Sequence, residues 1–313
     1  MLENLIFCLN ATVPIFLLMV LGFIFKRIGI FNDSLTSGLN NFVFKIALPV
    51  LVYKELATQD FSDLWDGGFI IYCFLATVFS IAIGIGISLL FKDKSVRPEF
   101  IQGCYRSSAA LLGVGIATNL YGSAGFVPLM IVGAVPLYNV AAVIVLTLGA
   151  NTGKKLDAAL MKKTLIGVVT NPIIIGIVLG VIRSLIPVDI LLPKTLDNVS
   201  NLATPLGLMA LGASFEFSNA IKKAAPTIMA TFLKLIGFVA IFVPIGIALG
   251  YTGEKLVAIL IMAGSPTTVS TFVMAKSMGH DGTVSAGIVM LTTLLSAFTL
   301  TVWLYILKSM GLI

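Results

Sequence analysis

Charge is what this 313-residue chain has least of: 11% of its residues are Asp, Glu, Lys or Arg, against about 25% in a typical soluble domain. The shortage runs from end to end, which excludes a soluble domain carrying a single anchor. Acidic residues number 14, and none falls in the middle of an apolar run. Glu55 and Glu254 stand at one set of run ends and Glu216 and Asp281 at the other. Paired intramembrane carboxylates, as a sodium/proton antiporter would need, are therefore not expected. The single histidine, His280, lies in the turn Gly279-His280-Asp281-Gly282, where an isolated imidazole is ordinarily solvated. Three cysteines (Cys8, Cys73, Cys104) share no spacing, cannot all pair and belong to no metal-ligand pattern, so they read as small packing residues. With one loop histidine and no buried acid, the nucleophile–base pair, metal cluster or paired acids of an intramembrane enzyme are missing. No catalytic residue, cofactor or metal is expected.

What the chain has instead is apolar length. Hydrophobic residues make up 58% and the mean hydropathy is +1.07, so lipid rather than water must be the solvent for most of the surface. A bilayer core of ~30 Å takes about 20 apolar residues per helix. Ten such segments can be drawn, at 10–29, 38–56, 67–91, 100–120, 125–149, 163–186, 195–215, 224–250, 255–277 and 284–308. The longest polar connection, 151–163, divides them into halves at 1–150 and 164–313. The first run ends on Lys26-Arg27, whereas a secretory signal carries its cations before the run, so it reads as a retained helix. The net charge of +6 forms no basic stripe of the kind that binds nucleic acid. Its cations cluster between the runs, where they set topology. With the N-terminus outside, the cytoplasmic side collects Lys26, Arg27, Lys92, Lys94, Arg97, Lys154, Lys155, Lys162, Lys163, Lys222 and Lys223. The outer side keeps Lys54, Arg183, Lys194, Lys255 and Lys308. This bias predicts a multi-pass inner-membrane protein with both termini extracytoplasmic and the 151–163 loop cytoplasmic.

The two halves repeat. Thr12-Val13-Pro14-Ile15 and Leu21-Gly22 return as Thr170-Asn171-Pro172-Ile173 and Leu179-Gly180, Ala47-Leu48-Pro49 as Ala203-Thr204-Pro205, and Tyr121-Gly122 as Met278-Gly279. Five helices being an odd number, the second half enters from the opposite face. The predicted fold is all-α, ten transmembrane helices in a 5+5 inverted repeat, an arrangement recurrent in secondary transporters with binding sites at broken helices near the midplane. Segments four and nine are both interrupted by helix-weakening residues, at Ser107 to Gly115 and at Gly264 to Thr271. Pro266 removes a backbone donor; Gly113 lets another chain approach closely. Crossed there, the two broken helices would turn half-helix N-termini inward, where partial positive charge favours an anion. The candidate substrate-binding residues are Arg106, Ser107, Ser108, Gly113, Ser265, Pro266, Thr267, Ser270 and Lys234. Pro49 and Pro205 read as paired structural kinks. Four ionisable residues stand out within the spans away from any acid in mid-run, all of them cationic (Lys45, Arg106, Lys234, Lys276), which favours anionic cargo. Lys276 is placed to snorkel, and Lys45 and Arg106, about two turns from the cytoplasmic face, have the same alternative open to them. Lys234, near the midplane, reads as an anion contact, a proton-sensitive switch, or a bond to carbonyls freed by the breaks.

These residues resemble the auxin efflux carrier family, and among its members the bacterial malate or malonate permeases. The likeness spans the full length and rests on Ala47-Leu48-Pro49-Val50, on Ala203 to Gly212, on Ala263-Gly264-Ser265-Pro266, and on Ala275 to Asp281. It implies a fold similar to bile-acid and sodium/proton transporters. Segments one, two, six and seven would form a scaffold, in a homodimer, and segments three to five and eight to ten a transport domain moving like an elevator. Family members commonly carry asparagine near each crossing point, and here neither Arg106 to Ala110 nor Pro266 to Ser270 contains one. The expected cargo is a small organic anion such as malate, malonate or a lactate-like carboxylate, with proton or sodium coupling left open. The alternatives are an ion-coupled carrier for an unrelated solute such as an amphipathic acid, a sensor or channel with the carrier fold, and, most distant, a membrane-embedded enzyme.

Overall fold

The computed structural model describes residues 2–57, 65–150, 158–185 and 193–313. Every regular element among them is helical. In chain order these are α1 (Leu2–Arg27), α2 (Asp33–Ala57), α3 (Gly67–Ser88), α4 (Arg97–Tyr105), α5 (Val114–Tyr121), α6 (Val127–Gly149), α7 (Ala158–Val169), α8 (Pro172–Leu185), α9 (Pro193–Ala213), α10 (Phe217–Lys222), α11 (Ala224–Ala248), α12 (Gly253–Gly264), α13 (Ser270–Ser277) and α14 (Thr283–Ser309). π-turns interrupt α2 at Val43–Ala47 and α11 at Leu233–Gly237, and a third, Ala109–Gly113, leads into α5.

Among the described residues six helices are long and apolar enough to cross a membrane: α1 from Cys8, then α2, α3, α6, α11 and α14. The remaining runs read from the sequence divide two ways. The helix α9 has the length, 21 residues, but opens on Lys194, Asp197 and Asn198. The others fall on the pairs α4/α5, α7/α8 and α12/α13, whose members are each too short, at ~1.5 Å per residue, to cross ~30 Å alone. The α7/α8 pair shows why one copy of a repeated motif breaks. Asn171 Oδ1 accepts from the Ile173 N–H at 2.9 Å, capping α8, whose first residue Pro172 has no N–H to satisfy. Its counterpart Thr12-Val13-Pro14 has no such acceptor at Val13 and runs unbroken inside α1. Helix α7 begins at Ala158, within the segment expected to be the connecting loop, so residues 158–163 are helical. Residues 151–157, with Lys154 and Lys155, lie outside the described residues.

Glycines set how closely these helices approach. A Cβ added at Gly22 of α1 would lie 2.1 Å from the Met209 carbonyl of α9, and one at Gly212 of α9 would lie 1.9 Å from the Met19 carbonyl of α1. Helices α2 and α8 meet in the same way: a Cβ at Gly180 would sit 2.9 Å from the Tyr53 carbonyl, and one at Gly176 would sit 2.4 Å from that of Pro49. Elsewhere α12 is enclosed, buried from Leu256 to Gly264. By contrast α1, α3 and α8 turn Leu17, Phe79 and Val178 outward, the apolar faces a membrane helix presents to lipid.

Polar anchors lie towards the helix ends. Asp66 caps α3 through the Phe69 N–H (3.0 Å) and pairs with Lys255 at the start of α12 (2.5 Å). The Lys255 ammonium, then the Phe69 N–H, hold its carboxyl below the usual carboxylate range. Among the described residues one buried acid runs against the expectation of none. Glu99 is 1% exposed, and its carboxylate accepts from the N–H groups of Gly282 (2.9 Å) and Ser285 (2.8 Å) at the start of α14. Two backbone donors and the positive end of a 27-residue helix offset the desolvation of that charge.

Candidate functional site

Helix α4 ends at Tyr105 because the next residues leave helical geometry: Arg106 is extended, with φ −69° and ψ 137°. Helix α12 ends at Gly264 in the same manner, Ser265 having φ −72° and ψ 158°. The two non-helical stretches, 106–108 and 265–269, lie against each other and satisfy each other's backbone. The Ser108 N–H donates to the Pro266 carbonyl at 2.9 Å. Proline at 266 deprives the Met262 carbonyl of its helical partner four residues on, and the Ser107 hydroxyl donates to that oxygen instead (2.5 Å). The Gly103 carbonyl accepts from the Thr267 hydroxyl at 2.8 Å. Gln102 Nε2 donates to the Thr271 carbonyl at 2.9 Å. Enclosed in protein and paired in this way, irregular backbone meets the condition that a bilayer would set on it.

Arg106 is the chemical centre. It is 2% exposed, and its guanidinium donates to Asn139 Oδ1 (2.9 Å), Ser270 Oγ (2.6 Å) and Met274 Sδ (2.8 Å), while Nε has no partner. All three acceptors are neutral, and no carboxylate lies within ion-pairing distance of Arg106 among the described residues. Asn139 comes from α6, where its Nδ2 donates to the Val135 carbonyl at 3.0 Å and so turns Oδ1 toward the guanidinium.

A cavity of about 420 Å3 opens beside this arginine. The broken stretches contribute Arg106, Ser107, Ser108 and Thr268, and the first residue of α13 contributes Ser270. Helix α6 contributes Tyr138 and Asn139, α9 contributes Ser200, Asn201 and Thr204, and α2 closes the wall with Leu48, Leu51, Val52, Lys54 and Glu55. Lys54 pairs with Asp197 at 2.7 Å. A larger space of about 1160 Å3 lies toward the other end of α2 and α9, among Lys26, Arg27, Asp33, Asn40, Asn41, Glu216, Lys276 and His280. Between the two spaces Val43, Ala47 and Leu208 are buried, and Gly207 packs against Val269 and Val273.

Of the residues singled out from sequence, Arg106, Ser107, Ser108 and Ser270 line the smaller cavity together. The others are placed elsewhere. Gly113 is packing: a Cβ there would meet Ile261 at 2.9 Å and Val127 at 3.2 Å. Ser265 is fully buried, Pro266 offers its carbonyl to Ser108, and Thr267 holds Gly103 and, through its N–H, the Thr292 hydroxyl at 3.0 Å. Lys234 is 0% exposed and reaches the freed carbonyls, not the cavity. Pro49 follows the π-turn of α2, and Pro205 sits inside α9 without one. Missed in the sequence were Asn139, Asn201 and Thr204. The signal for Asn139 was a lone amide in an otherwise apolar run, three residues after Pro136. Amide side chains reach the cavity from α6, as Asn139, and from α9, as Asn201.

A family model described as "Membrane transport protein" matches residues 7–304 of the chain. The chain belongs to this family. It comprises the auxin efflux carriers, and membership makes the protein a membrane transporter and not an enzyme. One relative is named "Putative malonate transporter", from Rhizobium meliloti (strain 1021). It is 23% identical over 308 residues, covering 96% of this chain and 96% of the relative. Another, named "Uncharacterized transporter", from Methanothermobacter thermautotrophicus, is 22% identical over 307 residues, covering 95% and 98%.

Proposed function

We propose that this transporter carries a small organic anion, a carboxylate of the malonate, malate or lactate type, by alternating access. The observation that carries the reading is the guanidinium of Arg106, enclosed with neutral partners only on the wall of a cavity. A buried charge without a counter-charge costs several kcal/mol, and an anion entering the cavity removes that cost. The free Nε and the forked geometry of the side chain suit a carboxylate, and Ser108, Thr268, Asn201 and Thr204 offer hydroxyl and amide groups to the rest of a small polar molecule. The name of the Rhizobium relative points to the same class of cargo.

The same reading takes the chain as ten membrane segments in two inverted halves. Three of these segments are split into short helices, and the split segments four and nine cross at 106–108 and 265–269. The scaffold comprises α1, α2 and α7 to α9, and the transport domain comprises α3 to α6 and α11 to α14. Its support is the glycine packing. Gly22 and Gly180 are corresponding positions of the repeat, as are Tyr53 and Met209, and Gly22 rests on Met209 as Gly180 rests on Tyr53. Two spaces toward opposite ends of one α2–α9–α13 seam suit a site exposed first to one side and then to the other, by an elevator-like shift. Orientation follows the Lys and Arg bias: an inner-membrane protein with the Lys26-Arg27 end cytoplasmic.

The test is a thermal-shift screen of small mono- and dicarboxylates on the purified protein, followed by proteoliposome uptake of those that stabilise it. Arg106→Gln is expected to weaken anion binding by about 10- to 100-fold, the worth of a hydrogen bond to a charged group, with membrane insertion intact. Carboxylate uptake by Arg106→Gln at the parent's rate and affinity would remove the anion site.

A further inference from the structure

The carbonyl ends of α4 and α12 come together at one place, and what stands there is the ammonium of Lys234. It donates to the Met262 carbonyl at 2.9 Å and to the Tyr105 carbonyl at 3.5 Å, and it contacts the Ser107 hydroxyl. Three donors thus meet three oxygens. The side chain is fully enclosed and has no carboxylate within ion-pairing distance among the described residues. Two features of the sequence create the need for a cation. Pro266 strips the Met262 carbonyl of its helical partner, and two helix C-termini facing each other bring together the negative ends of two dipoles. The π-turn Leu233–Gly237, which carries Lys234, delivers the side chain from α11 to that point. Freed carbonyls at the C-terminal ends of half-helices, with a hydroxyl beside them, are the hard neutral oxygens that take a monovalent cation in carriers with broken helices.

We propose that Lys234 is a tethered cation: its ammonium occupies a monovalent-cation site formed by the ends of α4 and α12, so that the junction holds a fixed positive charge and binds no free ion. The inference does not rest on the organic-anion reading, since Lys234 does not line the cavity that Arg106 lines. It also assigns the two buried cations different work. Arg106 keeps one donor, the buried Nε, without a partner, whereas the donors of Lys234 are all taken by the protein.

The consequence is chemical rescue. Lys234→Ala leaves the carbonyls in place, removes the ammonium and opens a space the length of its stem. Thermal unfolding of the purified full-length protein is measured in choline, sodium, potassium and ammonium chloride at equal ionic strength. The parent is expected to melt at the same temperature in all four. Lys234→Ala is expected to melt several degrees lower in choline and to recover along a saturating curve in at least one of the small cations. Lys234→Met, which fills the stem without charge, is expected to stay low in every salt. The inference is overturned if sodium or potassium stabilises the parent over choline, because the site would then take a free ion while Lys234 is present. It is overturned equally if Lys234→Ala responds to none of the salts, or if Lys234→Met is as stable as the parent. Should neither variant fold, the parent comparison alone decides.

Discussion

On the proposed anion reading, Asn139 sets how much of the Arg106 charge is left for a ligand. As an amide it offers one neutral oxygen at 2.9 Å, enough to hold the guanidinium in place and too little to neutralise it. Replacing that oxygen by a carboxylate of the same shape would complete a buried ion pair and satisfy the site without cargo. Asn139→Asp is therefore expected to raise the melting temperature by a few degrees and to abolish the shift produced by carboxylates, consistent with about 1.5–3 kcal/mol for a charge-assisted bond. Asn139→Ala, which leaves the guanidinium with one partner fewer, is expected to lower it. A carboxylate-induced shift surviving in Asn139→Asp would mean that ligand charge is met elsewhere. None of this was visible at the level of single residues in the sequence. Arg106 was legible because an arginine inside an apolar run is rare, whereas an isolated asparagine in such a run looks like any satisfied core amide. Glu99 escaped for the converse reason: its two backbone donors come from residues 282 and 285, and no local pattern predicts them.

Among elements, the two stretches that leave helical geometry at the cavity depend on different residues. Pro266 enforces one by removing a donor. The other starts at Arg106, one residue before the Ser107 to Gly115 stretch read from the sequence, and is fixed by partners on the opposing stretch: Ser107 on Met262 and Ser108 on Pro266. Proline and glycine in the sequence fall close to both non-helical stretches, and Gly113 packs closely on Ile261, where close packing and a helix break ask for the same residue. The π-turns at Val43–Ala47 and Leu233–Gly237 left no mark in the composition. Pro266→Ala isolates the role of the break. Restoring the N–H gives Met262 back its helical partner, in competition with Ser107 and Lys234. The variant is expected to melt no lower than the parent and to transport more slowly, with carboxylate affinity changed by no more than about twofold, the pattern of a step other than ground-state binding. Thermal melts and initial-rate uptake on the same preparation check it, and unchanged turnover would make the kink merely structural.

For the whole molecule, the decisive property is that two spaces flank one seam while buried Val43, Ala47 and Leu208 separate them. If alternating access is the working cycle, opening toward one end must close the other. The native thiols give a clean background for watching this, because Cys8, Cys73 and Cys104 are all buried at 0–2% exposure. Asn201→Cys places a thiol in the smaller cavity and Asn41→Cys one in the larger. With the orientation set by the lysine and arginine bias, a membrane-impermeant maleimide is expected to label Asn201→Cys in right-side-out vesicles and Asn41→Cys in inside-out ones. A carboxylate that drives exchange should then move the two labelling rates in opposite directions, since one population of carriers is redistributed between two states. Reaction of both thiols from the same side would invert or fold back the proposed topology. Rates that rise or fall together would show two independent openings, and a channel-like path would replace the carrier cycle.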